Sequence, residues 1–370
     1  MTHGLIALAA GGTGGHVFPA EALADQLIAR GHRLVLVTDR RGQTYGGTLG
    51  RLDTYRVAAG GIAGRGPLAK VKALVELGIG VLQARRLLRR LAPAAVIGFG
   101  GYASLPAMVA AILLGLPTAI HEQNAVLGRA NRLLAGRVRR IATSFADVAH
   151  TAHLADRMVP VGMPVRAAIA ALADGAYAPP ETDGPIRLLV LGGSQGARIL
   201  SEVVPAALAR LPEPLRRRLT VSQQCRPEDL EKVRAAYGQS GIDADLASFF
   251  DDVPARMAGA HLAIARAGAS TVAELLALGR PAILVPYPFA IDDHQTANAA
   301  AVAATGAAWA VPQTDFTAET LAGRLTALFE TPALLAEAAA RAKASGHPDA
   351  ARDLADLVAR LPADPKEPQS

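Results

Sequence analysis

Short apolar segments alternate with helix-length amphipathic segments along most of the chain. The apolar segments run for a few residues and end in turn residues, as buried β-strands do. Strands that alternate with helices form parallel sheets, because the helix returns the chain to the start of the next strand. The pattern predicts strands at residues 5–10, 33–38, 94–98, 118–122, 187–191, 219–223, 262–265 and 282–285.

The alternation pauses once, between residues 168 and 185, where glycine, proline and acidic residues are typical of a loop and linker. We place a hinge at residues 162–164, just before this pause. The sequence therefore predicts a first lobe of residues 1–162 and a second lobe of residues 163–346. A last amphipathic helix at about residues 347–362 and a disordered, proline- and charge-rich tail at residues 363–370 are expected to follow.

The composition is typical of helices packed on buried parallel strands, since 51% of the residues are hydrophobic and only 4% aromatic. A chain of 370 residues suffices for two domains with separate cores. Cys225, the one cysteine, cannot form an internal disulfide, so we expect it to be buried in a protein of a reducing compartment. The most apolar stretch, residues 103–120, is interrupted by two prolines and is too short to span a bilayer, which favours a buried helix followed by a strand.

Basic residues are concentrated in the first half of the chain, although the formal net charge is only +6. Residues 62–91 contain seven basic residues and a single acid, Glu76. Residues 126–140 add five arginines and no acid. The first lobe is therefore expected to be basic, and the rest of the chain roughly neutral.

A predicted strand leads into a glycine cluster that opens a helix at residues 11–16, 98–101 and 192–196, and more loosely at residues 265–271. Glycine lets the backbone turn tightly and approach a ligand, and the free amides at a helix start attract anions. The first cluster does not fit the Gly-x-Gly-x-x-Gly pattern of NAD-binding proteins. Because two clusters fall in each half, the sequence predicts two related Rossmann-type lobes.

Several polar residues at these clusters are candidates for chemistry. His16 ends the first cluster, where it either takes part in a reaction or only caps the helix. In the second half, Ser194, Ser270 and Thr271 can donate hydroxyl hydrogen bonds to a phosphate group. Glu274 follows about one turn into its helix, where it could accept two ribose hydroxyls or simply stabilise the helix start.

Taken in order, these motifs resemble those of the MurG-type transferases, which move N-acetylglucosamine from UDP-N-acetylglucosamine to lipid I and so make lipid II for peptidoglycan. The matching motifs lie at residues 11–19, 98–104, 121–124, 162–166, 192–199 and 266–274. The resemblance implies the GT-B fold, an α/β architecture of two Rossmann-like parallel-sheet lobes that face each other across a cleft. It also implies inversion at the anomeric carbon, no cofactor, no obligatory metal, and a last helix that crosses back to complete the first lobe.

Transferred residue by residue, the resemblance divides the site between the lobes. The acceptor side would comprise Thr13, Gly14, Gly15, Tyr102, His121, Asn124 and Asn131, with His16 and Glu122 as catalytic candidates. The donor side would comprise Arg166, Ser194, Gly268, Ala269, Ser270, Thr271, Glu274, His294, Gln295 and Asn298, with the backbone of Phe250 near the uracil. The chain departs from the family pattern at Ala267, where many members have serine, at Gln223, where many have histidine, and at His294, where others have glutamine.

An inverting transfer needs one base to take the proton of the acceptor's C4 hydroxyl. His16 is the first choice, because the unperturbed pKa of histidine is close to working pH. Glu122 is the alternative; it could instead orient His16 or, with His121, only fix a loop. The Asp-x-Asp at residues 243–245 has the spacing of metal-dependent transferases, but it precedes a predicted strand and has no phosphate loop beside it, so we expect no metal there.

The helix predicted at residues 72–85 is apolar on more than one face, so apolar surface is left over after it packs on a sheet. It could dock on an anionic membrane surface through its basic ends, or it could pack between neighbours with a solvated basic end. The first interpretation makes the protein peripheral, at the cytoplasmic face of the inner membrane, near lipid I and other cell-wall synthesis proteins, with no nucleic acid as a partner. The residues expected at the membrane are Lys70, Lys72, Leu77, Arg85, Arg86 and Arg89.

Three other functions compete with this interpretation. A nucleotide-sugar-binding protein with a decayed site would lack His16 or Glu274, and both are present. A dinucleotide-dependent oxidoreductase would show one cofactor fingerprint and not two phosphate loops. Another transferase of the same fold, acting on a different lipid or aglycone, is the closest alternative.

Overall fold

The computed structural model describes residues 4–12, 14–39, 45–60, 67–193 and 196–363, and only the backbone of residues 67–70. The chain divides into two compact units. The first comprises Met1–Arg166 and Asp349–Ser370, and the second comprises Ala167–Pro348. The division falls four residues after the end of the predicted first lobe.

The first unit has a parallel sheet that is seven-stranded in the described part of the chain. Its strands are β1 (Leu5–Ala9), β2 (Arg33–Asp39), β3 (Asp53–Val57), β4 (Ala95–Gly98), β5 (Thr118–Glu122), β6 (Arg140–Thr143) and β7 (Met158–Pro160), in the order β3-β2-β1-β4-β5-β6-β7. The helices between them are α1 (Gly14–Ala29), α2 (Pro67–Leu91), α3 (Gly101–Leu113) and α4 (Arg129–Leu134). The strand order reverses between β1 and β4, and the crevice at such a reversal is where α/β sheets bind ligands.

The second unit has a parallel sheet that is six-stranded over the residues described. Its strands are β8 (Ile186–Leu191), β9 (Leu219–Gln224), β10 (Asp243–Ala247), β11 (Leu262–Ala265), β12 (Ala282–Leu284) and β13 (Ala308–Ala310), in the order β10-β9-β8-β11-β12-β13. Its helices are α5 (Ala167–Ala170), α6 (Arg198–Leu208), α7 (Glu213–Arg216), α8 (Leu230–Ser240), α9 (Val253–Gly259), α10 (Ala269–Ala277), α11 (His294–Thr305), α12 (Ala318–Glu330) and α13 (Pro332–Ser345). Here the order reverses between β8 and β11.

The eight predicted strands are confirmed, each within one residue at either end. The apolar pattern does not predict β3, β6, β7, β10 and β13. Four of these are the outermost strands of the two sheets. An edge strand is solvated on one side, so it lacks the continuous apolar run that marks a central strand.

Both faces of the first sheet are covered. Successive residues of a strand point to opposite faces, so Ile6 and Leu8 enter one core while Ala7 and Ala9 enter the other. Helices α2 and α3 cover the second of these faces. In the second unit, Cys225 is 1% exposed within the core, which confirms the expectation that it is buried.

The last helix, α14 (Ala350–Arg360), packs on α1 of the first unit. Leu354, Val358 and Leu361 are fully buried in the core on that side of the sheet. Arg30 of α1 pairs with Asp356 at 2.6 Å. The C-terminal segment thus completes a core that begins with the first strand. None of the helices in the described ranges combines the length and the apolar character needed to cross a bilayer.

Candidate active site

His16 lies in the first turn of α1, beside the turn that follows β4. A Cβ atom added to Gly100 would lie 3.4 Å from Cε1 of His16, and one added to Gly101 would lie 3.3 Å from its Cδ2. Both glycines have positive φ angles, 82° and 69°, which favour glycine over other residues. The second glycine cluster therefore forms the surface on which the His16 ring rests; His16 as a whole is partly exposed, and its Nδ1 is buried.

Glu122, at the end of β5, is 1% exposed, and its carboxylate accepts four hydrogen bonds. Oε1 accepts from the backbone and side-chain nitrogens of Asn124 at 3.0 and 3.3 Å. Oε2 accepts from the backbone nitrogen of Gly128 at 2.9 Å and from Nδ2 of Asn131 at 2.8 Å. A carboxylate has about four acceptor positions, so these bonds fill them. The geometry favours the interpretation that Glu122 fixes the loop after β5.

His121 departs from the expected acceptor contact, because its side chain is fully buried and both ring nitrogens have partners inside the fold. Nε2 donates to the carbonyl oxygen of Gly162 at 3.1 Å, and Nδ1 accepts from the side-chain amide of Gln123 at 3.2 Å. Burial lowers the pKa of His121 to about 4, since a charged ring would lose its hydration. His121 is therefore a neutral internal residue at pH 7.

The other acceptor-side candidates lie around these residues. Asn131 is 2% exposed, and its Oδ1 is buried without a hydrogen-bond partner in the described part of the chain. Tyr102 is partly buried against the core at the start of α3. Gly14 and Gly15 are partly exposed in the first turn of α1, whereas Thr13 lies outside the described residues.

Arg166, expected on the donor side, is the last residue of the first unit. Its guanidinium carbon lies 5.7 Å from the ring centroid of Phe18 in α1, which is within the range of a cation–π interaction. Arg166 is thus held beside α1. A contact between Arg166 and a donor phosphate stays a prediction.

In the second unit, β11 leads through Gly268 into α10. Ala269, Ser270 and Thr271 form the first turn, and all three are partly exposed. The first amides of a helix have no intrahelical acceptor, and among the described residues no capping side chain accepts from them. This helix start can therefore receive an anion. Ser194, the candidate at the neighbouring glycine cluster, lies outside the described residues.

Two donor-side candidates are buried behind this turn. Glu274 lies in the second turn of α10 and is 5% exposed. Asn298 is fully buried in α11, and its Nδ2 donates to the carbonyl oxygen of Ala267 at 3.0 Å. Asn298 therefore holds the connection between β11 and α10, which fixes the helix start described above.

His294 and Gln295 open α11 after a strained turn. Asp292 and Asp293 have positive φ angles of 54° and 51°, a conformation that costs non-glycine residues energy and is concentrated at functional sites. Nδ1 of His294 donates to the carbonyl oxygen of Ile291 at 2.8 Å. Oε1 of Gln295 accepts from the backbone nitrogen of Tyr287 at 3.0 Å, so the remaining group of this side chain, Nε2, can only donate.

Arg266 is a site residue whose role the sequence does not indicate. Its Nη1 donates to the carbonyl oxygens of Val285 and Pro286 at 3.1 and 3.0 Å, and its Nη2 donates to Oε1 of Gln313 at 2.7 Å. Its guanidinium carbon also lies 5.4 Å from the centroid of the Tyr287 ring. Burial lowers the pKa of Arg266. Arg266 begins the motif at residues 266–274, but its partners are 19 to 47 positions away, so no local pattern could identify them.

The Asp-x-Asp forms the start of β10, and the prediction that it precedes a strand is wrong. Asp245 pairs with Arg256 at 2.6 Å, and Arg256 also pairs with Asp252 at 2.6 Å. The guanidinium carbon of Arg256 lies 4.0 Å from the centroid of the buried Phe250 ring. Within the described residues, no group of three or more histidine, cysteine or acidic side chains is arranged to hold a metal ion.

Gln223, one of the departures from the family pattern, is fully buried and accepts from the hydroxyl of Tyr237.

Helix α2 exposes a row of large apolar side chains, here called the α2 face. It consists of Val71, Leu74, Val75, Ile79 and Leu82, which are 46% to 62% exposed. Lys72, Arg86 and Arg89 are exposed as expected. Leu77 instead packs against the core, and Nε of Arg85 is buried, because both residues lie on the side of α2 that covers the sheet. The side chain of Lys70 lies outside the described residues.

The chain matches two family profiles that together cover most of its length. Residues 6–143 match the glycosyltransferase family 28 N-terminal domain, and residues 187–354 match the glycosyltransferase family 28 C-terminal domain. The two matches fall on the two sheets described above.

The chain is also similar over nearly its whole length to curated proteins. It is 68% identical to a protein of Paramagnetospirillum magneticum, with 96% of each chain covered, and 58% identical to one of Rhodospirillum rubrum, with 98% of this chain and 93% of the relative covered. Both relatives carry the name UDP-N-acetylglucosamine–N-acetylmuramyl-(pentapeptide) pyrophosphoryl-undecaprenol N-acetylglucosamine transferase. Among solved structures, Acinetobacter baumannii MurG superimposes with a TM-score of 0.79 at 31% identity, covering 96% of this chain and 99% of that one.

Proposed function

Since the chain belongs to glycosyltransferase family 28 and to its MurG-type members, we propose that it transfers N-acetylglucosamine from UDP-N-acetylglucosamine to the C4 hydroxyl of the N-acetylmuramic acid of lipid I. The observation that carries this proposal is 68% identity over 96% of the chain to a relative named for this reaction. The two fully parallel sheets of the GT-B fold, each with a glycine-rich turn at its reversal point, are consistent with it. The product is lipid II, the precursor of peptidoglycan.

His16 is the base of the proposed reaction. The C4 oxygen of the acceptor attacks the anomeric carbon from the face opposite UDP, the bond from that carbon to the diphosphate oxygen breaks, and His16 takes the hydroxyl proton. His16 is partly exposed as a residue, and its ring lies against Gly100 and Gly101, which limits how the ring can move. Glu122 is less suited to this role, since its carboxylate is buried and accepts four hydrogen bonds.

Negative charge grows on UDP as the bond breaks, and the second unit offers donors for it. The exposed first turn of α10 presents backbone amides, and the hydroxyls of Ser270 and Thr271 stand beside them. Fixed amides aimed at a developing charge stabilise a transition state without reorganisation. Glu274 is proposed to bind the ribose, and Nε2 of Gln295 to donate to the sugar. Arg166 is proposed to add a positive charge near the diphosphate.

The α2 face is proposed to dock on an anionic membrane surface, where the anchored lipid I is found. Five exposed apolar residues in a row would bury their side chains in the interface, and the basic residues Lys72, Arg86 and Arg89 would contact anionic headgroups. This placement makes the protein peripheral, at the cytoplasmic face of the inner membrane.

The decisive experiment is incubation of the protein with UDP-N-acetylglucosamine and a short-chain lipid I analogue while UDP release is measured. We expect release that depends on both substrates, and a His16→Ala variant whose kcat is lower by about 10²–10⁴-fold, the usual contribution of a general base. The activity of the unmutated protein should also fall at low pH, because the base is then protonated. His16→Ala should not show this fall. Absence of UDP release from the unmutated protein would defeat the proposed function.

A further inference from the structure

Two buried side chains of the first unit, His121 and Gln123, connect segments from separate parts of the chain. Nε2 of Gln123 donates to the carbonyl oxygen of Phe99 at 2.9 Å and lies 3.2 Å from Nδ1 of His121. Nε2 of His121 in turn contacts the carbonyl oxygen of Gly162 at 3.1 Å. Gln123 is 3% exposed and His121 is 0% exposed. They therefore form a continuous link from Phe99 to Gly162.

One end of this link lies beside the turn that supports His16, and the other lies near the boundary between the two units. Phe99 directly precedes Gly100 and Gly101, on which the ring of His16 rests. Gly162 has a φ angle of 82° and lies just before the boundary between the two units at Arg166. The link therefore joins the support of His16 to the segment where the chain leaves the first unit.

The partners of the link fix its hydrogens. Carbonyl oxygens only accept, so the Gln123 nitrogen must face Phe99 and the proton of a neutral His121 must be on Nε2. The low pKa of His121, about 4, agrees with a ring that stays neutral at working pH. A buried polar link whose members all have partners is rigid, since breaking any bond leaves a buried group without one.

We propose that His121 and Gln123 are positioning residues that hold the Phe99–Gly101 turn, and with it His16, in register with the segment at Gly162, and that neither side chain contacts the acceptor. The inference rests on the proposed function, in which His16 is the base. It assigns to His121 a role different from the acceptor contact that the family resemblance implied, and it adds Gln123 to the residues on which turnover depends.

Two substitutions at His121 separate positioning from acceptor contact. His121→Gln places an amide nitrogen close to the position of the histidine Nε2, so it can still donate to Gly162; it loses the Nδ1 acceptor, but Nε2 of Gln123 keeps its carbonyl acceptors at Phe99 and His121. His121→Asn is too short to reach Gly162 and breaks the link. Gln123→Met keeps the length of the side chain but removes the donor to Phe99. His153→Gln, at an exposed position, is the matched control for the histidine substitutions.

The readouts are kcat and the KM of each substrate in the UDP-release assay. We expect kcat of His121→Gln to stay within about threefold of the unmutated value, and kcat of His121→Asn and Gln123→Met to fall by about tenfold or more, because a shift of about 1 Å in a catalytic group can cost about a hundredfold in rate. The KM of the lipid I analogue should change little in all three variants. His153→Gln should match the unmutated protein.

A different pattern would overturn the inference. If His121 contacts the acceptor, both His121 variants will raise the KM of the lipid I analogue and the glutamine variant will not restore kcat. If Gln123→Met keeps full activity, the link does not position His16. Should His121→Asn fail to fold, the glutamine variant decides alone: retained kcat supports the inference and a lost kcat contradicts it. Failure of the proposed function is distinguishable, because the unmutated protein would then release no UDP.

Discussion

At the scale of single residues, several polar groups predicted to contact a ligand form hydrogen bonds with the backbone of the fold. Glu122 binds the loop after β5, and Asn298 binds the carbonyl of Ala267. A polar side chain at the buried end of a strand must have hydrogen-bond partners, and nearby backbone groups supply them. Gln295 differs, since over the described ranges only one end of its amide has an internal partner.

This orientation of Gln295 leads to a test of its proposed contact with the donor sugar. Gln295→Glu keeps an oxygen that accepts from the backbone nitrogen of Tyr287 and removes the outward Nε2 donor. We expect the KM of UDP-N-acetylglucosamine to rise by about tenfold or more, because a lost hydrogen bond leaves a polar group of the bound sugar without a partner. Inhibition by UDP alone, which has no sugar, should be unchanged.

Gln83→Glu is the matched control for this substitution. Oε1 of Gln83 accepts from the backbone nitrogen of Ala58 at 2.9 Å, which is the same kind of internal bond, but in the first unit. The control should leave the KM of UDP-N-acetylglucosamine unchanged. An unaltered KM in Gln295→Glu would show that Nε2 of Gln295 does not donate to the sugar.

At the scale of elements, helix α2 packs on the core of the first unit along one side and exposes apolar side chains along the other. Leu77 and Leu88 face the core of the first unit, whereas Leu74 and Leu82 are about 60% exposed on the α2 face. Apolar side chains in a contiguous exposed row indicate an interaction surface rather than chance. The arginines at the end of the helix add the charge that an anionic surface would attract.

The α2 face predicts a specific loss of membrane binding. Simultaneous Arg86→Glu, Arg89→Glu and Arg90→Glu substitutions should weaken binding to anionic phospholipid vesicles by about a hundredfold or more, since each basic residue near such a surface contributes about 1 kcal/mol. Arg85 is left unchanged because part of its side chain is buried. Vesicle co-sedimentation measures the effect, and turnover of a soluble short-chain acceptor should be retained.

The matched control reverses three exposed arginines of the second unit, Arg210, Arg217 and Arg234. It changes the net charge equally, so it separates the effect of the α2 face from that of total charge. Vesicle binding that is equal in the two triple variants would contradict the docking proposal, as would binding unaffected by Leu74→Ser and Leu82→Ser.

At the scale of the whole molecule, the two units have separate cores, yet the chain passes from the first unit to the second and back. Leu354 and Val358 of α14 are fully buried beside residues of α1 and β1. The first unit is therefore incomplete until the last part of the chain is present. The second unit contains no part of either terminus.

A pair of equivalent substitutions should destabilise the two units separately. Leu354→Ala in the first unit and Leu335→Ala in the second each remove a fully buried leucine side chain, with an expected loss of about 2–5 kcal/mol in the free energy of unfolding. On the proposal that the second unit binds UDP-N-acetylglucosamine, calorimetric scans with and without this ligand would identify that unit, because a ligand raises the transition of the unit that binds it. If both variants lower the same transition by the same amount, the units unfold as one.

The central strands and their glycine-rich turns were predictable from sequence because both depend on neighbouring residues. A strand buried on both faces is mostly apolar, as β1 and β11 are, and a turn at the end of a strand favours glycine wherever φ is positive, as at Gly100. The edge strands β3 and β10 were missed because one side of each is solvated, so their composition resembles that of a loop.

By itself, the sequence determined the architecture and the family, and it predicted the residues of the site. Only the tertiary structure decided which groups those residues contact inside the fold. His121 and Gly162 are 41 positions apart, and Arg266 and Gln313 are 47 apart, yet each pair is in hydrogen-bond contact. Local patterns record burial and turn conformation along the chain, whereas a hydrogen bond between distant segments depends on how the strands are ordered in the sheet. For that reason the contacts that hold the backbone of the predicted site appear only in the folded molecule.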